Sequence, residues 1–242
     1  MRYKCIVEYD GANYFGFQVQ DNLDTIELEI EKALEKLTSK FVKIYPSGRT
    51  DRGVHALGQV IHFDLENQIP ESGLKKGLNS LLPSDIYIKD VTLVDDSFHA
   101  RFSAKSKEYH YIINIKEYSP FKARYMPYIS YLNYDLMNNA IKLFIGTHDF
   151  KGFADSSIDE RKDTIKTIFD AYITKTDATL EFVFIGTGFL KYQIRRMMGA
   201  LVDIGRGYLD SSIINKVLEK KDPKISHRVM DGCGLYLVKV NY

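Results

Sequence analysis

The order of strand and helix signals narrows the fold of this chain most, because one grammar runs through it twice without a strict βαβα alternation. Residues 4–8 alternate apolar and polar side chains as a half-buried strand does. Residues 24–37 read as a helix. Asp24 stands at an N-cap position, Glu27 follows at capping-box spacing, and Ile26, Ile30, Ala33, Leu34 and Leu37 form one stripe. Strands are predicted at 41–45 and 60–65, a short helix at 71–81 and a strand at 86–93. The second half repeats the pattern: a strand at 108–115, a helix at 134–145 stopped by Gly146, and strands at 164–174 and 180–185. Helices at 190–204 and 212–220 and a last strand at 235–240 complete it. Strand runs mixed with helices in this way argue for an α+β fold. The boundary falls near 103–107, dividing an N-terminal half, 1–104, from a C-terminal half, 105–242. No Pro/Gly-rich linker marks it, so the halves are expected to share a continuous sheet.

Several classes of protein are excluded by what the chain lacks. No run of 18 apolar residues occurs, which argues against a membrane span. The opening MRYKCIVEYD alternates like a strand and lacks the apolar core of a signal peptide. Cys5 and Cys233 are the only cysteines, which gives neither zinc spacing nor a disulfide framework; both are expected to be reduced and structural in a cytoplasmic protein. The six histidines, His55, His62, His99, His110, His148 and His227, never stand three or four residues apart, so no metal site is expected. There is no G-x-x-x-x-G-K-[ST] loop. Gly186-Thr187-Gly188 begins a dinucleotide-like pattern, but Lys191 stands where its third glycine belongs. The net charge of +1 hides an asymmetry: residues 1–104 carry 12 Lys/Arg against 16 Asp/Glu, and residues 105–242 carry 21 against 16. A local positive field of that kind suits a phosphate-bearing partner.

The richest stretch for chemistry is Gly48-Arg49-Thr50-Asp51-Arg52-Gly53-Val54-His55-Ala56, just ahead of the alternating residues 60–65. It sets Asp51 between two arginines in a glycine-bounded loop. Nearby cations favour the ionised carboxylate. Held on a rigid loop, such a carboxylate is a candidate nucleophile, and arginines are natural phosphate ligands. A bare Arg-Thr-Asp is equally compatible with a solvated surface turn.

The whole run resembles the G-R-T-D-x-G-V-H-A signature of the tRNA pseudouridine synthase A family. Other segments match in the family's order. They are Glu8-Tyr9-Asp10-Gly11 with Tyr14-Phe15-Gly16-Phe17-Gln18, then Phe98-His99-Ala100-Arg101-Phe102-Ser103-Ala104 with Tyr109 after it. Phe189 to Gly199, with Arg195 inside, and Gly234-Leu235-Tyr236-Leu237-Val238 follow. The resemblance implies a pseudouridine synthase fold: two related halves around a mainly antiparallel central sheet flanked by helices, with the active cleft between the halves. It implies isomerisation of uridine to pseudouridine in the anticodon stem-loop of tRNA, at family positions 38–40, by a cytoplasmic homodimer without a cofactor.

It also assigns roles. Asp51 would be the nucleophile, attacking sugar or base or helping to form a glycal. Arg195 would keep it charged once water is excluded. Arg196 lies about 100° round the same helix and suits an RNA phosphate or solvent. Tyr109 would stack on the uracil and help move a proton, while Tyr111 belongs to the core. A duplexed target leaves its stack at a cost of about a few kcal/mol, and Arg49 would stabilise the gap. His55 would support the loop, and Arg101 would support the site or touch phosphate. The chain departs from the family where Arg52 replaces a small residue, where Phe17 replaces tryptophan, and over 228–233, which lacks the usual proline and histidine. Two other classes fit less well. An RNA chaperone has no need of Asp51. A glycosidic-bond hydrolase needs a second carboxylate, and none stands near Asp51 in sequence.

Overall fold

The computed structural model describes residues 1–159, 161–222, 224 and 228–242; His227 lies outside them. The chain divides into two units, Met1–Lys105 with Tyr236–Tyr242, and Ser106–Leu235.

In the first unit, β1 (Arg2–Tyr9) buries Tyr3, Cys5, Val7 and Tyr9 on one face, as its alternation requires. The helix α1 (Ile26–Thr38) follows, then a two-residue strand β2 (Tyr45–Pro46), the long strand β3 (His55–Asp64), the helix α2 (Glu71–Leu81) and β4 (Ile86–Val94). Strand β1 lies between β3 and β4, antiparallel to both, with Cys5 opposite Ile61 and Val91. The chain's last strand, β9 (Leu235–Asn241), pairs parallel to β3 with Tyr236 opposite His55. That pairing returns residues 236–242 to the first unit, although sequence order puts them in the second half. Gly58 is required here, because a Cβ on it would lie 2.3 Å from the Val238 carbonyl oxygen. Helix α2 buries Leu74 and Leu78, each worth about 1.5–3 kcal/mol of transfer free energy.

In the second unit, β5 (Ser106–Asn114) leads through one helical turn, α3 (Pro120–Ala123), to α4 (Tyr134–Ala140). The chain then forms β6 (Gly146–Asp149), the long hairpin β7 (Ile165–Lys175) and β8 (Thr179–Gly186), and the helices α5 (Gln193–Gly205) and α6 (Ser212–Lys220). The strands run in the order β5-β8-β7-β6, every pair antiparallel. Helix α5 is buried over most of its length. Its Gly199 lies so near residue 228 that a Cβ would meet the Arg228 carbonyl oxygen at 2.3 Å. The architecture is therefore α+β, with mainly antiparallel strands and helices packed on them.

Several boundaries differ from the sequence expectation, each for a local reason. The cap of α1 is Thr25, whose side chain accepts from the Leu28 N–H. Glu27 does not close a capping box. It is buried and accepts from the Val19 N–H at 2.9 Å and from Lys43 at 2.7 Å. The predicted strand at 41–45 reduces to β2, whose Pro46 has no N–H to extend the ladder. The helix predicted over 134–145 ends at Ala140 and tightens into a 3₁₀ turn, Ile141–Phe144. Gly146, at φ +115°, opens β6, a strand that the sequence did not announce. Helix α5 starts at Gln193 and not at Leu190, because Tyr192 takes a left-handed conformation at φ +63°.

Candidate active site

Asp51 stands at the corner of a tight turn in which the Val54 N–H donates to the Asp51 carbonyl at 3.2 Å. Gly53 turns the chain at φ +74°, a region glycine enters without a Cβ penalty. The stretch leading into the turn is fixed from below. The Ser47 N–H donates to the Val60 carbonyl at 2.7 Å. The Ser47 hydroxyl meets the Gln59 Oε1 at 2.7 Å, and the Gln59 amide donates to the Gly48 carbonyl at 2.8 Å. The Thr50 hydroxyl lies 2.8 Å from the Tyr9 hydroxyl, and the Thr50 carbonyl accepts from the Phe17 N–H at 3.0 Å. Burial pushes the Tyr9 phenol up to about 12, so it stays a neutral hydrogen-bonding group. Gln59 is fully buried with both ends of its amide engaged. Replacing it with Leu strands the Ser47 hydroxyl and the Gly48 carbonyl. We expect Gln59→Leu to lose about 1–3 kcal/mol in urea unfolding, the cost of unmet buried polar groups. Unchanged stability in that titration contradicts the bracing role.

Two glycines let a second segment close on this loop. A Cβ on Gly11 would lie 2.0 Å from the Val54 carbonyl oxygen, and one on Gly16 would lie 2.9 Å from the Thr50 carbonyl oxygen. The Gly11 N–H donates to His55 Nδ1 at 3.1 Å. His55 is 2% exposed and stacks on Tyr236 at 4.8 Å between ring centres. It is enclosed between the Gly11 backbone and the Tyr236 ring. The carboxylate of Asp10, 3.1 Å from the same nitrogen, accepts from the Ala12 N–H and so caps the 3₁₀ turn Gly11–Asn13.

The arginines that flank Asp51 in sequence lie at the surface. Both are exposed, and neither forms an ion pair among the described residues. The Arg52 guanidinium lies 4.4 Å from the centre of the Phe15 ring. Phe17, in the place of the expected tryptophan, is fully buried beside Tyr9. Arg101 belongs to a separate turn of the first unit. There His99 Nδ1 accepts from the Arg101 N–H at 3.1 Å, His62 Nδ1 from the Ala100 N–H at 3.2 Å, and the Ala100 carbonyl from the Tyr242 hydroxyl at 2.7 Å. Burial, then the neighbouring His99 and Arg2, push His62 down to about 4, which keeps it a neutral acceptor. The Arg101 side chain is exposed, 5.7 Å from the Phe102 ring centre.

In the second unit, Tyr109 is buried on β5, edge-on to Phe189 at 5.3 Å between ring centres. Tyr111, on the same face, donates its hydroxyl to the Asp231 carbonyl at 2.9 Å and belongs to the core, with its phenol pushed up by burial. Arg195 occupies the first turn of α5, half-buried. Its Nε donates to the Met230 carbonyl at 2.6 Å, and its guanidinium lies 4.9 Å from the Tyr192 ring centre. The Met230 N–H returns a bond to the Arg195 carbonyl at 3.1 Å. The divergent segment 228–233 thus holds Arg195 by backbone groups, which any residue can supply. Arg196 is half-buried one position along, and Lys191 is paired with Asp155 at 2.6 Å. The structure gathers Arg49, Asp51, Arg52 and His55 on one stretch, with Arg101 on another turn of that unit. Tyr109, Arg195 and Arg196 belong to the other unit.

Sequence reasoning missed Gln59, Ser47, Thr50 and Met230 as supports. Gln59 carried only a faint signal, a polar residue directly ahead of the alternating residues 60–65. Met230 carried none, since its carbonyl does the holding. Among the described residues no group of three or more His, Cys, Asp or Glu is placed to hold a metal, and no helix is long and apolar enough to cross a membrane. Cys5 and Cys233 are free thiols. Burial pushes Cys5 well up and, with Asp231, raises Cys233 to about 11.

A family model described as tRNA pseudouridine synthase matches residues 5–103 and 140–242. The chain is 43% identical over 242 residues to the tRNA pseudouridine synthase A of an Exiguobacterium species, covering all of this chain and 98% of the relative. It is 42% identical over 244 residues to that of a Geobacillus species and 41% identical over 243 residues to that of Anoxybacillus flavithermus. Both comparisons cover 100% of this chain and 98% of the relative.

Proposed function

The chain belongs to the tRNA pseudouridine synthase family and is an enzyme that isomerises uridine to pseudouridine in tRNA; within that activity we propose that Asp51 is the nucleophile, that the target uridines lie in the anticodon stem-loop, and that no cofactor takes part. The observation that carries the first part is the rigid mounting of Asp51. Its loop is bonded at Ser47, Gly48 and Thr50 to buried groups of β1 and β3, and Gly11 and Gly16 close against it. A carboxylate held this way is ready to attack without a reorganisation cost.

The reaction breaks the N-glycosidic bond of uridine, turns the uracil and joins carbon 5 to the same ribose carbon. The proton on carbon 5 then leaves and the ring nitrogen released from the ribose takes one up, so no atom is gained or lost overall, and no redox step or added group is needed. Tyr109 and Arg195 take the roles that the matching motifs suggest, the ring that holds the uracil and the cation of the reaction. Arg49, Arg101 and Arg196 contact the RNA. The resemblance further supports a cytoplasmic homodimer, which light scattering of the purified protein tests.

Incubation of the purified protein with unmodified tRNA, followed by mapping at nucleotide resolution, should place pseudouridine in the anticodon arm. Pseudouridine elsewhere in the tRNA overturns the assigned target, and free uracil as product favours a hydrolase. Affinity for tRNA should fall tenfold or more between about 50 and 200 mM salt, because several arginines would displace counterions from phosphates. A salt-insensitive affinity contradicts this mode of binding.

A further inference from the structure

The corner of the Asp51 turn carries a cation that the chemistry at the carboxylate does not use. Arg52 stands between Asp51 and Gly53, exposed, with its guanidinium 4.4 Å from the centre of the Phe15 ring. Phe15 is 37% exposed. Phe15 is anchored through its backbone, and the segment it belongs to is bonded to the stretch that carries Arg52. The Phe15 N–H donates to the Asp24 carbonyl at 2.9 Å, and the Phe17 N–H donates to the Thr50 carbonyl at 3.0 Å. Gly16, between them, lies against the turn so tightly that a Cβ on it would be 2.9 Å from the Thr50 carbonyl oxygen and 3.3 Å from the Arg52 nitrogen. The ring and the guanidinium are therefore brought together by two loops that cannot drift apart.

A guanidinium held over an aromatic ring gives no N–H bond to that ring's edge and keeps N–H donors for another partner. Those donors fit two oxygens of a phosphate at once. No carboxylate pairs with Arg52 among the described residues, so an incoming anion displaces nothing. The anion on hand is set by the position of Arg52, one residue from the nucleophile. When a target uridine lies against Asp51, the phosphodiester groups beside that nucleotide are the nearest negative charges.

We propose that Arg52, held on Phe15, forms a phosphate-binding site for the RNA backbone immediately beside the target uridine. The proposal rests on the tRNA-modifying activity described above. It deepens that reading by giving this chain a contact where the family pattern has a small residue. The stack does for Arg52 what a salt bridge does elsewhere: it orders a long side chain before the ligand arrives, so less freedom is lost on binding.

The test measures tRNA affinity as a function of salt for the full chain and for Arg52→Ala, Arg52→Lys, Phe15→Leu, Phe15→Tyr and the double variant Phe15→Leu/Arg52→Ala. Arg52→Ala should lower the slope of log affinity against log salt by about 0.7–0.9, the loss of one phosphate contact, and weaken binding about tenfold at low salt. Arg52→Lys should keep the slope and recover only part of the affinity. Phe15→Leu should weaken binding several-fold with the slope retained, whereas Phe15→Tyr, which keeps the ring, should match the parent. In the Arg52→Ala background Phe15→Leu should have no further effect, because the two residues act as one unit. A parental slope in Arg52→Ala removes the phosphate contact. Full additivity of the two losses removes the role of the stack. Pseudouridine formation by the parent chain is assayed separately, so a failure of the enzymatic reading is told apart from a failure of this site.

Discussion

Asp51→Asn is expected to abolish pseudouridine formation while leaving tRNA affinity within a few-fold of the parent chain. The amide keeps the shape of the carboxylate and can occupy the same turn, since the bonds that fix the loop come from the Asp51 carbonyl, Thr50, Gly48 and Ser47. What it lacks is the charged oxygen that the proposed mechanism requires for attack. In the proposed binding mode the affinity for tRNA comes from cations, which the variant retains. Single-turnover assays with enzyme in excess separate the two effects, because they read the chemical step alone. A rate near that of the parent, with pseudouridine confirmed as product, removes Asp51 from the role of nucleophile. A large loss of affinity with the rate at saturation preserved assigns it to binding.

How far the sequence spoke depended on whether a feature was local. Helix α2 matches its expected span, since Pro70 precedes it and Leu74 and Leu78 alone supply its buried face. Helix α6 matches as well, for its signals also lie within its own residues. Boundaries set by contacts distant in sequence were not legible. Strand β3 begins at His55, five residues before the obvious alternation, because the chain's last strand pairs with its first residues and Gly58 admits the Val238 backbone. The cap of α1 moved from Asp24 to Thr25 while Glu27 served Lys43 and the Val19 N–H, partners that no window around residue 24 contains. At the site, residue types were readable and their attachments were not. The sequence shows Asp51 between two arginines; it does not show that Arg52 lies on Phe15 or that Arg49 forms no ion pair among the described residues. The loop is held by Gln59 and by the Tyr9–Thr50 contact, which join residues 11 and 41 positions apart or more closely by space than by chain.

Tyr109→Phe and Tyr109→Leu should both slow the single-turnover reaction, and the difference between them separates two duties of one side chain. Phe keeps the ring and loses the hydroxyl. If that hydroxyl moves a proton, the rate should fall a hundredfold or more, the usual scale of acid–base assistance. Leu loses the ring as well, and should weaken the productive complex by a further 1–3 kcal/mol, about the worth of one base–aromatic stack. Tyr109 is buried against Phe189, so Leu also leaves space beside that ring, and its thermal melt must be read alongside its kinetics. Tyr111→Phe is the control. It lies two residues along on the same face of β5 and spends its hydroxyl on the Asp231 carbonyl. Its loss should cost about 1 kcal/mol of stability and leave the chemical step alone. We expect the hydroxyl to be the larger of the two contributions at Tyr109. Should the Phe and Leu variants of Tyr109 both fold and both react at the parental rate, Tyr109 is a core residue like Tyr111, and the base must be held by another group.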